Sequence, residues 1–180
     1  DMTAFPSDCT QVDFGFPKLI LLAPVGATIT VASDNVVPTV AEFQTELTAG
    51  SDLIAINGIS NGIKMPSETV EISDADTADN LPEVITSREG ISGNLKRFNL
   101  TILNDLEALN CHKRLRMWYI TNKGWCFGGQ TGYLVSNYFK DLEHAGYGNR
   151  SMIPFEFKWI RESATTGAGQ DNDYLDLVNS

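Results

Sequence analysis

The spacing of apolar positions changes along the first third of the chain, and each spacing predicts a different element. Residues 18–25 (KLILLAPV) form an almost continuous apolar run, and residues 27–33 (ATITVAS) alternate, so both segments are predicted to be strands. In residues 39–49 (TVAEFQTELTA) the apolar positions recur at intervals of three and four, which indicates a short amphipathic helix. Thr39 and Glu42 have the spacing of a capping box at the start of this helix.

The remainder of the pattern predicts further strands and a second helix. Residues 52–59, 69–72 and 93–103 have the composition or alternation of strands. A second capping box then predicts a helix over residues 105–114. Four aromatic and β-branched runs separated by glycine-containing turns follow, a pattern typical of an antiparallel meander. These runs are residues 116–121, 124–127, 131–139 and 151–160.

The two ends of the chain lack a regular pattern. Residues 1–17 contain two prolines, one glycine and three phenylalanines, which predicts an extended arm lying on an apolar surface. Residues 162–180 are mostly polar, and we predict a flexible arm there that orders only against a partner. Between the arms, residues 18–161 form the predicted core. We therefore expect a single domain over residues 1–180, mainly β (α+β), with an antiparallel β-sandwich or barrel-like core and one or two short flanking helices.

Charge is distributed unevenly in a composition that otherwise fits a folded protein. Apolar residues make up 42% of the chain and charged residues 20%. The net charge is −10; residues 1–90 carry 14 acidic and 3 basic residues, and residues 91–180 carry 9 acidic and 10 basic. This asymmetry disfavours general nucleic-acid binding and favours head-to-tail packing of an acidic surface on a basic one, with a solvated acidic face as the alternative. No apolar run approaches the roughly 18 residues of a membrane span, so neither membrane insertion nor secretion is predicted.

One acidic segment is a candidate metal site. Asp74, Asp76 and Asp79 lie within residues 73–80 (SDADTADN), and clustered carboxylates suit calcium. The segment lacks both the central glycine and the terminal glutamate of a calcium-binding loop, so a solvated acidic loop is predicted instead.

Candidate nucleophiles also lack the partners that their chemistry needs. Cys111 and His112 are adjacent, and Cys126 could approach them across a hairpin to form a nucleophile or metal site. The three cysteines show no C-x-x-C spacing, however, and fit a protein made in a reducing compartment. Cys111 and Cys126 are more simply small core residues. His144 has no hydrolase or zinc-peptidase motif around it, and Gly128-Gly129 has no phosphate-binding frame. We therefore predict no catalytic residue, no cofactor, no metal and no enzyme activity.

The basic and aromatic residues of the second half allow three interpretations. Interleaved basic and aromatic side chains could bind single-stranded nucleic acid, although a basic assembly face is preferred. Aromatic side chains could equally stack on the rings of a carbohydrate. The basic set is Lys96, Arg97, Lys113, Arg114, Arg116 and Lys123, interleaved with Phe98, Trp118, Tyr119 and Trp125. The sugar-stacking set is Met117, Trp118, Trp125, Tyr133, Tyr138 and Trp159.

The order of these elements, from apolar strand and capped helix to aromatic meander and polar arm, resembles that of tail tube proteins of tailed bacteriophages. The segments FPKLILLAPVG and NRSMIPFEFKWI also look like virion proteins of phages that infect Bacteroidetes. The resemblance implies a β-sandwich or barrel-like core flanked by a helix. It further implies copies joined edge to edge in rings, usually of six, and stacked through arms and loops into a tube that conducts DNA.

We therefore predict a structural virion protein that self-assembles into stacked, hexameric rings of a phage tail tube. It would be made in the cytoplasm of a bacterial host and would contact other tail proteins. DNA would pass transiently and non-specifically, because an acidic lumen repels phosphate over a Debye length of about 8 Å. The alternatives are another virion component (head, connector or fibre module) or a carbohydrate-binding β-sandwich. The two arms and residues 73–80 are the candidate interface elements.

Overall fold

The computed structural model describes parts of the chain, and for residues 69–72 and 83–86 it describes the backbone alone. The described residues are 13–27, 29, 36–48, 53–72, 83–96, 104, 106, 108, 114–136, 151–160 and 168–177. The strands are β1 (Pro17–Pro24), β2 (Ile54–Ile56), β3 (Ile59–Ile72), β4 (Glu83–Leu95), β5 (Arg114–Thr121), β6 (Trp125–Phe127), β7 (Tyr133–Ser136), β8 (Ile153–Ile160) and β9 (Ala168–Gln170). The α-helix α1 spans Val40–Thr48, and a C-terminal 3-10 helix spans Asn172–Asp176.

All the strands belong to one antiparallel sheet in the order β2-β1-β5-β7-β8-β4-β3, with β6 pairing with β5 and β9 pairing with β6. The predicted mainly β fold class is confirmed. The sheet also curls, as the approach of Gly62 in β3 to the backbone of Pro17 in β1 shows. A Cβ at Gly62 would lie 2.5 Å from the Pro17 carbonyl oxygen. The two ends of the sheet therefore approach each other, as in a barrel.

The sheet buries side chains on both faces at β1 and β5. Inside the curl lie residues such as Ile20 and Met117, and on the opposite face Leu21 and Trp118 pack beneath α1 and the C-terminal 3-10 helix. A strand covered on both faces is apolar at successive positions, which explains the continuous run in β1. In β8, by contrast, buried and more exposed positions alternate, since only its inner face is covered.

The first helix is confirmed, and so is its capping box. Glu42 Oε2 accepts a hydrogen bond from the Thr39 backbone N–H at 2.6 Å, and Thr39 Oγ1 accepts one from the Glu42 N–H at 3.3 Å. The helix buries Phe43, whose ring meets that of Trp118 edge-on at 5.7 Å. These contacts anchor α1 on the outer face of β5.

The predicted second helix and the preceding strand are each wrong at one end. Leu106 and Ala108 are helical, but Arg114 opens β5 because it pairs with Ser136 of β7. The strand predicted over residues 93–103 ends at Leu95 in β4. The four predicted runs are strands β5 to β8, but they do not form a simple meander, because β6 and β7 both pair with β5. The alternating segment over residues 27–33 lies mostly outside the described residues.

The prediction of a flexible C-terminal arm is wrong for residues 168–177. Gly169 of β9 pairs with Cys126 of β6, and Tyr174 is buried with its hydroxyl donating to the Pro38 carbonyl oxygen at 2.6 Å. Tyr174 and Leu177 supply enough apolar surface to fix this segment on the molecule's own core.

At the other end of the chain, residues 13–16 lie on an aromatic surface, where the ring of Phe14 meets that of Trp125 edge-on at 5.1 Å. This contact is of the kind expected for an arm that lies on an apolar surface. Residues 1–12 lie outside the described part of the chain.

Candidate assembly surface

The outer face of β7 and β8 exposes two neighbouring apolar side chains. Val135 pairs with Trp159 and Ser136 with Lys158, and the same register sets Leu134 opposite Ile160. Leu134 is 40% exposed and Ile160 57%. Directly opposed side chains on one face of a sheet lie roughly 5 Å apart at their Cβ atoms, so the two form a continuous apolar patch.

Basic side chains flank this pair on both sides. Arg116 of β5 pairs with Leu134, and Arg88 of β4 pairs with Ile160, which places the four side chains in one row across four strands. Three inter-strand spacings make that row about 14 Å long. A second row two residues away carries Arg114 and Lys158. We call this surface the basic outer face; it comprises Arg88, Arg114, Arg116, Leu134, Lys158 and Ile160.

The cations of the basic outer face are partly held in place. Arg116 Nη1 donates to the Thr131 carbonyl oxygen at 2.7 Å, which fixes this side chain over the β6–β7 connection. Lys158 Nζ lies 3.0 Å from Glu156 Oε1, and this hydrogen bond and charge raise the pKa of Lys158 above its ordinary value. Glu68 raises this pKa further and Arg88 opposes it, as expected for charges that share one face. Lys158 therefore stays cationic at neutral pH.

The basic outer face begins where the covering elements stop. Further along β5, Trp118 and Ile120 point to the same side of the sheet as Arg116 but are buried in the cluster that contains α1 and the C-terminal 3-10 helix. Arg114 and Leu134 lie beyond this cover and are exposed. The outer side of the sheet is thus divided into a covered half and an open, basic half.

The β3–β4 hairpin extends past the rest of the sheet. β8 pairs with β4 only from Leu95 to Arg88, whereas β3 stays paired with β4 as far as the Ile72–Glu83 pair. Among the described residues, the distal part is therefore paired as two strands only, with about five residues per strand and a length of roughly 16 Å. We call it the hairpin ribbon; it comprises residues 68–72 and 83–87. Residues 73–82, which connect its strands, include the candidate calcium ligands and lie outside the described residues.

The interpretation of the aromatic set as a sugar-binding surface is wrong for its buried members. Met117 and Trp159 point into the curled sheet, and Trp118 lies beneath α1; each is at most 3% exposed. Trp159 stacks instead on Tyr133, with ring centroids 4.5 Å apart. Trp125 is half-buried and contacts Phe14, and Tyr138 lies outside the described residues. The faces of Trp118 and Trp159 are covered by other side chains and cannot stack on sugar rings.

Burial also weakens the interpretation of the basic residues as a platform for single-stranded nucleic acid. Trp118 and Tyr119 are buried, so neither can stack on a base. Lys123 belongs to a different surface, where its Nζ lies 3.7 Å from Asp13 Oδ2. Lys96 is exposed after β4, and only Arg114 and Arg116 share the basic outer face. The remaining members, Arg97, Phe98 and Lys113, lie outside the described residues.

The candidate nucleophile that the structure describes is a core residue. Cys126 is a free, buried thiol in the same cluster as Phe43 and Tyr174, and burial raises its pKa well above the ordinary value for cysteine. A protonated, enclosed thiol is inert. Cys111, His112 and His144 lie outside the described residues. Within the described part of the chain, no group of three or more His, Cys, Asp or Glu side chains could hold a metal ion, and no helix is long and apolar enough to cross a membrane.

No protein-family model matches the chain, and no curated protein has a significantly similar sequence. Solved structures with a limited likeness include the tail of an empty GTA particle with C6 symmetry, at a TM-score of 0.39 and 12% identity, covering 65% of this chain and 90% of the other. A chain from the virion of a native gene transfer agent (GTA) particle matches at a TM-score of 0.39 and 11% identity, covering 65% and 88%.

Proposed function

We propose that this chain is a structural virion protein that assembles with copies of itself into stacked rings of six, and that these rings form a phage tail tube that conducts DNA. The proposal includes contacts with other tail proteins and assembly after synthesis in a bacterial host. The resemblance to proteins of phages that infect Bacteroidetes stays a prediction.

The hairpin ribbon is the observation that carries this proposal. Two strands without a third are marginally stable in water, so a ribbon reaching past the sheet is expected to gain its stability from a partner. Because virion tails repeat one subunit many times, a second copy is the partner proposed here. The ribbon would then bridge adjacent copies, in agreement with the prediction that residues 73–80 belong to an interface.

The edges of the sheet support assembly of copies side by side. In the described part of the chain, β2 pairs with β1 alone and β3 with β4 alone. Unpaired edges favour pairing with another chain, and a closed ring removes them. Gly62 of β3 already packs against Pro17 of β1, and Pro66 removes one backbone N–H from β3, so the part of β3 beyond Pro66 is the preferred contact. The acidic excess of residues 1–90 would suit a lumen that repels the DNA backbone.

Electron microscopy of the purified protein at rising concentration tests the proposal, with light scattering to measure particle mass. Rings or hollow tubes are the expected result, and a monomer at every concentration would contradict self-assembly. A shortened variant would test the ribbon itself, with an Asn-Gly turn joining Glu68 directly to Arg88. This variant is expected to keep the cooperative unfolding of the wild type, because the paired core is intact, but to lose assembly. Tubes formed equally well by the shortened variant would contradict a role for the ribbon.

A further inference from the structure

We propose that the basic outer face receives the acidic segment of residues 73–80 from a second copy of this chain. This inference rests on the proposed function, because it names the surface through which neighbouring copies join. The contact would be head to tail: the tip of the hairpin ribbon on one copy would dock on β7 and β8 of the next.

Charge complementarity identifies the occupant. The chain as a whole has a net charge of −10, yet the basic outer face presents four cations, and the two carboxylates beside them are Glu68 and Glu156. Residues 73–80 contain three aspartates and no basic residue, and residues 71 and 83, which adjoin the tip on the ribbon, are both glutamates. A cationic surface on so acidic a protein favours an anionic partner, and opposed charges orient two copies during their encounter.

The position of the ribbon directs this segment toward another molecule. β3 and β4 remain paired up to Ile72 and Glu83, so this end of the hairpin ribbon lies roughly 16 Å beyond the row that contains Arg88. β3 and β4 stay antiparallel from that row to the end of the hairpin ribbon, with one register shift between Val70 and Glu71. A second copy of the chain can therefore present the acidic segment to the basic outer face.

The composition of the basic outer face also suits a protein partner. Leu134 and Ile160 are exposed side by side, with Arg116 on one flank and Arg88 on the other. An apolar centre surrounded by polar side chains is the usual arrangement of a protein–protein interface. DNA would gain the contacts of the cations but would leave the two apolar side chains without a role.

Charge reversal on each side, followed by recombination, tests this docking. One double variant, R88E/K158E, makes the basic outer face acidic, and a second, D74K/D76K, makes the tip basic. Each variant alone places like charges across the contact, so the concentration at half-assembly is expected to rise about tenfold or more by light scattering. An equimolar mixture of the two, or all four substitutions in one chain, restores opposite charges and is expected to bring that concentration within about twofold of wild type.

Matched controls separate this contact from a general charge effect and from DNA binding. K18E/K96E makes the same change in net charge at two exposed lysines outside the basic outer face and is expected to leave assembly unchanged. Cooperative unfolding of each variant establishes that it folds. Retention of a 30-base-pair DNA duplex by wild type and R88E/K158E is measured in parallel.

The outcomes are distinct. Failure of the mixture to assemble, or wild-type assembly by both charge-reversed variants, would overturn the docking while tubes of the wild type would still support the proposed function. Loss of DNA retention in R88E/K158E without loss of assembly would reassign the basic outer face to DNA. A wild-type protein that never assembles would reject the proposed function and this contact together.

Discussion

Replacing Tyr174 with phenylalanine tests whether the hydrogen bond of its hydroxyl group holds residues 168–177 on the core. Tyr174 is buried, its hydroxyl donates to the Pro38 carbonyl oxygen at 2.6 Å, and its ring meets Phe43 at 6.2 Å. The substitution keeps the ring and removes only the donor, which leaves the buried Pro38 carbonyl unsatisfied. Removing one partner of a buried hydrogen bond costs about 1–3 kcal/mol.

The buried thiol of Cys126 reports the effect, because β9 pairs with the strand that contains Cys126 and Tyr174 packs in the same cluster as the thiol. Labelling of this thiol by a disulfide reagent requires the segment of residues 168–177 to open. If opening is in rapid equilibrium, a cost of about 1–3 kcal/mol raises the labelling rate about 5- to 150-fold. The measurement uses a background with Cys9→Ser and Cys111→Ser, so that Cys126 alone reacts.

The exposed Asp176 lies in the same 3-10 helix as Tyr174 and supplies the control, because Asp176→Ala removes no described buried contact and is expected to leave the labelling rate unchanged. Equal labelling of the Tyr174→Phe variant and the wild type would refute the reasoning: the hydrogen bond to Pro38 would then contribute nothing to closure. Faster labelling accompanied by an equal loss of global stability, measured by urea unfolding, would show that the segment opens only when the whole chain unfolds.

Two further predictions concern the core. Gly132→Ala is expected to destabilise the protein by more than about 1 kcal/mol, since Gly132 has a φ of 74° and a Cβ would lie 2.9 Å from the Trp118 ring. Gly26→Ala, where a Cβ meets nothing within 4 Å, is the control, and equal midpoints of urea unfolding would contradict the prediction. Burial, followed by the negative charges around it, raises the pKa of Tyr119. Stability present below pH 10, the ordinary tyrosine pKa, should therefore fall as pH rises above 10, and Tyr119→Phe should flatten that decline in thermal unfolding measured against pH.

Local patterns determined the elements whose cause is local. The capping box of Thr39 and Glu42 satisfies backbone groups within one turn of helix, so the start of α1 could be located from residue types alone. The aromatic runs of β5 to β8 followed from β propensity and turn residues in the same way. The mainly β class and the position of most strands of the second half were therefore accessible from the sequence.

Predictions from the pattern of a single segment failed where contacts with distant parts of the chain determine its conformation. Arg114 fits the end of a helix, but pairing with Ser136 draws it into β5. The tail around Tyr174 appears polar and weakly anchored, yet two apolar side chains suffice once β6 supplies a partner strand and α1 a surface. Both outcomes depend on contacts between residues far apart in the sequence.

The basic outer face shows the same division between sequence and structure. The sequence by itself determined the excess of basic residues in the second half, and it indicated Arg114 and Arg116 as members of a basic set. Leu134 and Ile160 gave no such signal, since an exposed and a buried apolar strand position look alike in sequence. Arg88 and Lys158 lie far from Arg114 and Arg116 along the chain, so their positions in the sequence did not group them with this set. The register of four strands decided which of them share a face, and the cover of α1 decided which part of that face stays open. Register and cover arise from packing across the whole chain, so only the tertiary structure could bring these residues together.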